Sequence, residues 1–260
     1  MTQQQASVRQ VTETLVPLGV PLWAHPEWGE RFSWLVQGTT GVGVADDAFD
    51  LGLFGAAAAG EALGRWAALR RALGMPVAVH ARQVHGREVL AHTCAYPAGL
   101  VVAETGDGHV SATPGLLLAV SVADCVPIFL VDARRRALAL LHAGWRGVAA
   151  GILEAGAARL AEQAGSVAAD LWLHCGPAIC GRCYQVGPEV HAALRPDAPP
   201  PAAPTPVDLR AELASRARAL GVPAAQVSVS GHCTRCGPGA FFSHRAGSPG
   251  RQMAVLGVRA

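Results

Sequence analysis

Three apolar runs near the middle of the chain constrain its fold more than any other feature. The first two, Leu116–Val122 and residues 127–131, are separated only by a turn-like Ala-Asp-Cys. The third covers residues 137–142. Short apolar runs bounded by turn-forming residues predict strands that are buried on both faces. We therefore predict a central β-structure, with a charge, a thiol and an imidazole placed at the strand ends.

Helical periodicity is found on both sides of these runs. Apolar residues recur at helical spacing over residues 56–73 and 147–164, which predicts amphipathic helices. A third helix is expected over residues 208–220, with Asp208 as its N-cap and Gly221 as its C-terminal stop. Helices and strands are mixed without a regular βαβ period. The predicted fold class is therefore α+β, with mixed β-sheets flanked by helices.

The length of the chain and its one low-complexity stretch indicate how many domains it contains. The chain has 260 residues and no internal repeat, which suits one large domain with a substantial core. Residues 196–206 read PDAPPPAAPTP. Prolines lack a backbone donor and favour extended conformations, so this stretch is expected to be an exposed loop. We predict a single domain over residues 1–260, with residues 196–206 as a loop within it.

The balance of charge and hydropathy excludes several classes of function. Only 15% of the residues are charged, and the formal net charge is +2. No basic block is interleaved with aromatic residues, which argues against nucleic-acid binding. No apolar run reaches the roughly 18 residues of a membrane span, and the first residues lack the apolar core of a signal peptide. We expect a cytoplasmic enzyme for a small molecule, with most of its seven cysteines reduced.

Three side chains at the ends of apolar runs form a candidate site. His85 lies in Gln-Val-His-Gly, Cys125 in Ala-Asp-Cys-Val-Pro and His142 in His-Ala-Gly-Trp-Arg-Gly. Two imidazoles and one thiolate suit a catalytic zinc site, which keeps a fourth position for water or substrate. The spacing alone leaves another interpretation open, because free cysteines and hydrogen-bonded histidines are also common core residues.

Five motifs occur in one order along the chain: QVHG, ADCVPIFLVD, HAGWRG, GPAICGRCYQVGPEV and CTRCGPGAFFSHR. Together they resemble the YfiH family, long labelled multicopper polyphenol oxidases or laccase-like proteins. The similarity covers about residues 34–258, and the weaker ETGDGHVSATPG segment also looks like its counterpart in that family. The resemblance implies a single α+β domain related to cysteine-hydrolase-like folds.

The resemblance also implies an activity and a ligand set. Members are described as zinc-dependent purine nucleoside phosphorylases that act on adenosine, inosine and methylthioadenosine, and as adenosine deaminases. Their metal ligands fall on His85, Cys125 and His142 by motif, and the expected partners are a nucleoside and phosphate. The older label implies copper and polyphenol oxidation instead. From the residues alone, Cys125 as nucleophile with His142 as base gives a third alternative, a cysteine-dependent hydrolase.

Three further residues are candidates for substrate binding or catalysis. Arg146 precedes a predicted helix, and Arg245 follows a Phe-Phe-Ser-His segment, so either guanidinium suits a phosphate. Arg146 could equally cap a loop or pair with a surface carboxylate. Asp124 suits a general acid or base, or the cap of the turn between two strands.

Two segments separate this chain from the family pattern. Many relatives carry a Thr-Arg-Gly-Gly segment near the N-terminus, whereas residues 38–43 here read GTTGVG without an arginine. A later Asn-Leu-Gly is replaced by Asp50-Leu51-Gly52. The expected metal ligands are therefore intact, while the expected substrate contacts are altered.

Two C-x-x-C pairs remain. Cys180 and Cys183 form the first pair, and Cys233 and Cys236 form the second. Four thiolates arranged in two such pairs can make a structural zinc site. A disulfide and packed free thiols are the alternatives.

Overall fold

Two large β-sheets form the centre of the protein. The computed structural model describes residues 8–44, 47–55 and 58–260. In chain order, the strands within these ranges are β1 (Arg9–Val11), β2 (Thr14–Pro17), β3 (Pro21–Ala24), β4 (Leu35–Thr40), β5 (Gly43–Val44), β6 (Asp47–Ala48), β7 (Val77–Arg82), β8 (Val89–His92), β9 (Gly99–Thr105), β10 (Gly108–Ser111), β11 (Leu116–Val122), β12 (Val126–Asp132), β13 (Ala137–Ala143), β14 (Leu171–Cys175), β15 (Gln185–Val186), β16 (Thr205–Pro206), β17 (Val227–Ser230) and β18 (Gln252–Val258). The α-helices are α1 (Trp28–Arg31), α2 (Ala59–Leu73), α3 (Trp145–Ala150), α4 (Ile152–Ala164), α5 (Pro188–Leu194) and α6 (Leu209–Ala219). Short 3-10 helices cover Ala168–Asp170, Ala224–Gln226 and His244–Ala246.

Both large sheets are mixed, as predicted for an α+β fold. The first has the order β1-β17-β14-β12-β13-β10-β8, and the second has the order β2-β3-β4-β18-β11-β7-β9. In the first sheet, β12 and β13 pair antiparallel while β14 and β17 pair parallel. In the second, β11 pairs antiparallel with β18 and parallel with β7. Two-stranded pairings of β5 with β6 and of β15 with β16 complete the structure of the described ranges.

The two sheets stack face to face because their strands alternate between two apolar faces. Leu118 and Val120 of β11 share a buried cluster with Phe129 of β12 and Leu140 of β13. The intervening residues of each strand point outward into separate cores. The continuous apolar runs in the sequence therefore reflect strands that are covered on both sides.

Helices cover both outer faces. Trp66 and Leu69 of α2 pack with Leu117 of β11, so α2 covers the second sheet. Leu160 of α4 and Leu213 of α6 belong to the cluster on the outer face of the first sheet. The result is a layered arrangement of helix, sheet, sheet and helix. None of the helices in the described part of the chain has the length and apolarity needed to cross a bilayer.

The three apolar runs form β11, β12 and β13, which confirms the predicted strands. The predicted helix over residues 56–73 begins at Ala59, and residues 56–57 lie outside the described ranges. The single helix predicted over residues 147–164 is wrong in one respect, because α3 and α4 are two helices. Gly151 separates them with a φ of 86°, a left-handed conformation that ends a helix.

The third predicted helix and the proline-rich stretch lie close together in the sequence. Asp208 caps α6 by accepting hydrogen bonds from the backbone N–H groups of Arg210 and Ala211, which confirms the predicted N-cap. Residues 196–206 are mostly exposed, and all but the last two lack regular structure. Those two residues form β16 and pair with β15.

A buried polar cluster joins the N-terminal strands to the first sheet. Glu13 accepts hydrogen bonds from His174 Nε2 at 2.8 Å and from Ser230 Oγ at 2.7 Å. Burial by itself raises the pKa of Glu13, but these partners outweigh it and lower the pKa. His25 lies beside the cluster, with its ring stacked on Trp28 at 4.9 Å.

The buried His25 predicts a loss of stability in mild acid. Burial, together with the neighbouring His174, lowers its pKa to about 3. In the unfolded chain, the imidazole titrates near its ordinary pKa of about 6.5. Between pH 7 and pH 5 the unfolded state therefore takes up a proton that the folded state does not. We expect this group to cost about 2 kcal/mol of folding free energy over that interval.

Urea unfolding of metal-free protein at pH 7 and pH 5 tests this prediction. The loss of stability in His25→Gln should be about 2 kcal/mol smaller than in the wild type. His244→Gln changes an exposed histidine and should keep the wild-type loss. An equal loss in His25→Gln and in the wild type would contradict the prediction.

Candidate metal centre and its cavity

The sheet topology brings the three predicted ligands to one place. Residues 123–125 cross from β11 in the second sheet to β12 in the first. His142 lies opposite Pro127 in the β12–β13 ladder, so it flanks Cys125. The parallel pairing of β7 with β11 places the loop that carries His85 beside the same crossing. Gln83 fixes this loop, because its side-chain amide bonds to the backbone N–H and C=O of Ser121.

The ligand atoms of His85, Cys125 and His142 all lie within 4.8 Å of one another. His142 is buried, Cys125 is half-buried and His85 is exposed, so the cluster is open on one side. The two imidazole rings meet edge to face, with their centroids 4.8 Å apart. Two nitrogens and one sulfur at this separation can converge on a single small cation.

Backbone conformation sets the positions of these candidate ligands. His85 has a φ of 61°, and Asp124, directly before Cys125, has a φ of 86°. Residues other than glycine seldom adopt this left-handed region, and such strain persists where the surroundings enforce it. Gly144 allows the close approach, because a Cβ there would lie 2.9 Å from the ring of His85 and 3.1 Å from Cys125 Sγ.

Asp107 belongs to the site but was not among the residues predicted from the sequence. It is fully buried, and its Oδ1 accepts hydrogen bonds from His142 Nδ1 and from the backbone N–H of His85, both at 2.9 Å. Its Oδ2 accepts from the backbone N–H groups of Val84 at 3.2 Å and Gly86 at 2.7 Å. One carboxylate therefore holds the loop of His85 and fixes the His142 ring, leaving Nε2 to face Cys125.

The protonation states of the cluster are coupled. Burial by itself raises the pKa of Cys125, but His142 and hydrogen bonds from both histidines outweigh it and lower the pKa to about 6. Burial by itself lowers the pKa of His142, but the Cys125 thiolate and the Asp107 carboxylate raise it to about 9. In the metal-free protein the pair is therefore a thiolate and an imidazolium at neutral pH. A thiolate is the form that binds metals and attacks electrophiles.

A cavity of about 400 Å³ opens beside the cluster. Its wall includes all three predicted ligands together with ten other residues: Gly52, Leu53, Phe54, Gly55, His80, Gln83, Ser121, Ala123, His244 and Arg251. Arg251 is the cationic side chain among them. Arg251 was not among the residues predicted from the sequence, because its place directly before β18 gives no sign that it lies near Cys125.

The three predicted substrate contacts lie around this cavity rather than in its wall. Arg146 is exposed and stacks on Trp145, with 4.5 Å between the guanidinium carbon and the ring centroid. Arg245 stacks on Tyr184 at 4.9 Å and donates a hydrogen bond to the carbonyl of Gln185. The roles assigned to both arginines stay predictions.

Asp124 is buried and engaged with neighbouring loops. Its Oδ1 accepts a hydrogen bond from Thr234 Oγ1 at 2.5 Å, and its Oδ2 accepts from the backbone N–H of Arg245 at 2.7 Å. The carboxylate thus positions two loops around Cys125. A direct chemical role for Asp124 also stays a prediction.

The two segments that depart from the family pattern have structural roles. Gly41 is packed so tightly that a Cβ would lie 2.9 Å from the Trp23 indole nitrogen. Asp50 Oδ1 accepts hydrogen bonds from the backbone N–H groups of Gly52 at 2.8 Å and Arg251 at 2.9 Å. Asp50 therefore joins two residues of the cavity wall.

The chain is similar to a known protein family. The family model described as multi-copper polyphenol oxidoreductase laccase matches residues 47–259. The chain belongs to this family. A solved structure named YfiH also has the same fold. The resemblance to the YfiH family is therefore confirmed.

Curated relatives carry the names of nucleoside enzymes. A purine nucleoside phosphorylase of Mycobacterium tuberculosis is 39% identical over 197 residues, covering 73% of this chain and 76% of the relative. The purine nucleoside phosphorylase YlmD of Geobacillus stearothermophilus is 37% identical over 165 residues, so the match spans 59% of this chain and 60% of that relative's length. A protein named adenosine deaminase RL5, from an unknown prokaryote, is 36% identical over 148 residues, covering 54% of this chain and 56% of the relative.

Solved structures of family members share the fold. YlmD from Geobacillus stearothermophilus superposes with a TM-score of 0.84 at 27% identity, covering 96% of this chain and all of that chain. The YfiH protein of Bacillus licheniformis gives a TM-score of 0.81 at 26% identity, covering 93% of this chain and 98% of that chain. The mixed α+β architecture is thus that of the family.

Proposed function

We propose that this protein is a zinc-dependent purine nucleoside phosphorylase, which cleaves the N-glycosidic bond of adenosine, inosine or methylthioadenosine with phosphate. The observation that carries the proposal is the His85–Cys125–His142 cluster in the wall of a cavity of about 400 Å³. Small-molecule sites are typically concave pockets of this size range. The names of the relatives support the substrate class.

The donor set favours zinc at this position. Catalytic zinc sites use three protein ligands of this chemistry and leave a fourth position open. Copper sites with two histidines and a cysteine often add a methionine as a weak axial ligand. The methionines of the described chain, Met75 and Met253, are instead buried in the core beneath α2. Bound zinc would supply Lewis-acid polarisation of a substrate oxygen or a water of lowered pKa.

The chain's own side chains supply the remaining requirements of phosphorolysis. A phosphate oxygen must attack the anomeric carbon while the purine leaves with the electrons of the C–N bond and accepts a proton. The Arg251 guanidinium in the cavity wall suits the phosphate. Phe54 is exposed in the same wall and offers a ring for the purine to stack on.

Two histidines beyond the ligands differ in what they can do with a proton. Burial lowers the pKa of His80 to about 4, and its Nδ1 lies 3.2 Å from the carbonyl of Ala119. His80 is therefore neutral, a hydrogen-bonding group rather than an acid. His244 is exposed at the cavity, and we assign it the proton transfer to the leaving purine.

A product assay tests the proposed function. Zinc-loaded protein with adenosine, inosine or methylthioadenosine should release free base and a pentose 1-phosphate, and release should stop when phosphate is omitted. Phosphate-independent conversion of adenosine to inosine would indicate deamination, the activity in the name of one relative. Oxidation of a phenol with copper, absent with zinc, would favour the family label. No phosphate-dependent release of base would reject the proposal.

An arginine variant tests the phosphate site in the same assay. Arg251→Gln should raise the KM for phosphate by about tenfold or more, since a charge-assisted contact contributes about 1.5–3 kcal/mol. Arg71→Gln changes an exposed arginine of α2 and should leave this KM unchanged. An unchanged KM in Arg251→Gln would place phosphate elsewhere, with Arg146 and Arg245 as the next candidates.

One specific arrangement supports a second candidate function, cysteine-dependent hydrolysis. Cys125, His142 and Asp107 stand in the order nucleophile, base and orienting carboxylate, with 2.9 Å between the last two. Metal content separates the two functions, because a ligand thiolate is unavailable for attack. Hydrolysis that persists after the metal is removed by a chelator, and ends in Cys125→Ser, would favour the cysteine enzyme.

A further inference from the structure

Two turns next to Asp124 bring the cysteines of the two C-x-x-C pairs together. Cys180 and Cys183 lie in the turn after β14, and Cys233 and Cys236 lie in the turn after β17. A parallel bridge between Ala178 and Cys233 joins the two turns. The four residues come from segments about 50 positions apart in the sequence, and the parallel pairing of β14 with β17 places them side by side.

The four sulfur atoms of this four-cysteine cluster all lie within 4.8 Å of one another. The Sγ atoms of Cys180 and Cys236 are 3.9 Å apart. Zinc–sulfur bonds of about 2.3 Å in a tetrahedron require sulfur–sulfur distances of about 3.8 Å. A disulfide requires about 2.05 Å, and all four cysteines are free thiols in the structure. The separation is therefore that of a metal site.

Backbone donors point at the innermost sulfur. Cys233 is buried, and its Sγ accepts hydrogen bonds from the backbone N–H groups of Cys180 at 3.3 Å and Cys236 at 3.4 Å. Each turn is closed by its own backbone, with Cys183 N–H donating to Cys180 O and Gly237 N–H donating to Cys233 O, both at 3.0 Å. Such outer contacts orient and stabilise thiolate ligands.

The charge around the cluster suits an anionic metal centre. Four thiolates and one zinc ion carry a net charge of about −2. The third residue of each C-x-x-C motif is an arginine, which is Arg182 in the first motif and Arg235 in the second. Arg235 also donates a hydrogen bond to the carbonyl of Cys183, which links the second turn to the first.

We propose that Cys180, Cys183, Cys233 and Cys236 bind one structural zinc ion, distinct from the His85–Cys125–His142 centre. Four thiolates without a water position favour a soft cation in a closed tetrahedral site. The proposal is independent of the proposed phosphorolysis, because the cluster does not line the cavity.

The position of the cluster gives this zinc a function in the fold. The first turn is joined to the metal centre by Ile179, whose N–H donates to the carbonyl of Asp124 at 3.1 Å. The second turn is joined to it by Thr234, which donates to the Asp124 carboxylate. The zinc would therefore fix the two loops that hold Asp124, the neighbour of the ligand Cys125.

Metal analysis of the full chain tests this proposal. Wild-type protein purified without chelator should contain about two zinc ions per chain. The double variant Cys180→Ser, Cys236→Ser should contain about one, and Cys125→Ser should also contain about one. Cys94→Ser changes an exposed cysteine outside both clusters and should keep two. About one zinc in the wild type and none in Cys125→Ser would overturn the proposal.

A second measurement does not depend on the folding of the double variant. Cobalt(II) added to metal-free Cys125→Ser protein should give the intense thiolate-to-metal absorption of an all-sulfur tetrahedral site, and zinc should displace it. Thiol counting in denaturant with chelator and without reductant addresses the disulfide alternative. Six reactive thiols in this variant, one fewer than the seven cysteines of the wild type, fit the zinc site. A loss of four thiols to disulfides, with no cobalt absorption, would overturn it.

Discussion

Replacing Cys125 with serine is expected to lower kcat/KM for nucleoside phosphorolysis by more than about a hundredfold. Mutation of residues that only support metal ligands already costs about 10- to 100-fold, and Cys125 lies within ligand distance of both histidines. The variant removes the thiolate, the one anionic donor of the set. The cavity wall otherwise stays the same, because serine differs from cysteine only by an oxygen atom in place of the sulfur.

Kinetics and zinc content should be measured on the same preparations. Cys125→Ser should lose the zinc of this site together with the activity, while Cys94→Ser should keep both. Excess zinc should restore activity only in part, because two imidazoles remain as ligands. Full activity in Cys125→Ser at wild-type zinc content would reject Cys125 as a ligand. Activity that survives in metal-free wild-type protein but not in Cys125→Ser would identify a nucleophile instead.

The strands that carry the site could be predicted because their signal is local. β11, β12 and β13 are covered on both faces, and this burial requires continuous apolar runs. Turn residues interrupt the runs between β11 and β12, where the chain passes from one sheet to the other, and β13 ends one residue after His142. The candidate ligands Cys125 and His142 therefore stand out in the sequence.

The break at Gly151 could not be predicted from the same kind of pattern. Apolar spacing continues through residues 147–164, and a glycine within a helical pattern is compatible with either a continuous helix or a stop. The separation of α3 from α4 is visible only in the left-handed backbone of Gly151. The local pattern thus predicts which segments are helical better than it predicts where a helix is interrupted.

The wall of the cavity could not be predicted because its residues come from distant segments. Gly52 and Arg251 meet through the side chain of Asp50, although about 200 residues separate them in the sequence. No residue type or spacing marks such a contact. The same limit applies to Asp107, which acts mainly on backbone N–H groups and so has no partner motif to find.

Replacing Asp107 with asparagine is expected to weaken zinc binding at the His85–Cys125–His142 centre by about 10- to 100-fold. Asparagine keeps the shape of the side chain but has one acceptor oxygen. With that oxygen in the place of Oδ1, the amide NH₂ would face the backbone N–H groups of Val84 and Gly86. With the amide reversed, its NH₂ group would face His142 Nδ1 and the His85 backbone N–H instead.

Either orientation leaves two donors without their acceptor, and a donor that is shielded from water, such as His142 Nδ1, costs about 1–3 kcal/mol when left unpaired. Zinc affinity should be measured by competition with a chelator, and thermal unfolding should be followed on the same samples. Asp107→Ala should bind zinc more weakly still, and Asp197→Asn, at an exposed position, should match the wild type. A lower unfolding temperature at unchanged zinc affinity would mean that Asp107 only stabilises the loop. A fall in affinity that exceeds the effect on unfolding would identify it as the group that orients His142 and presents its Nε2 to the metal.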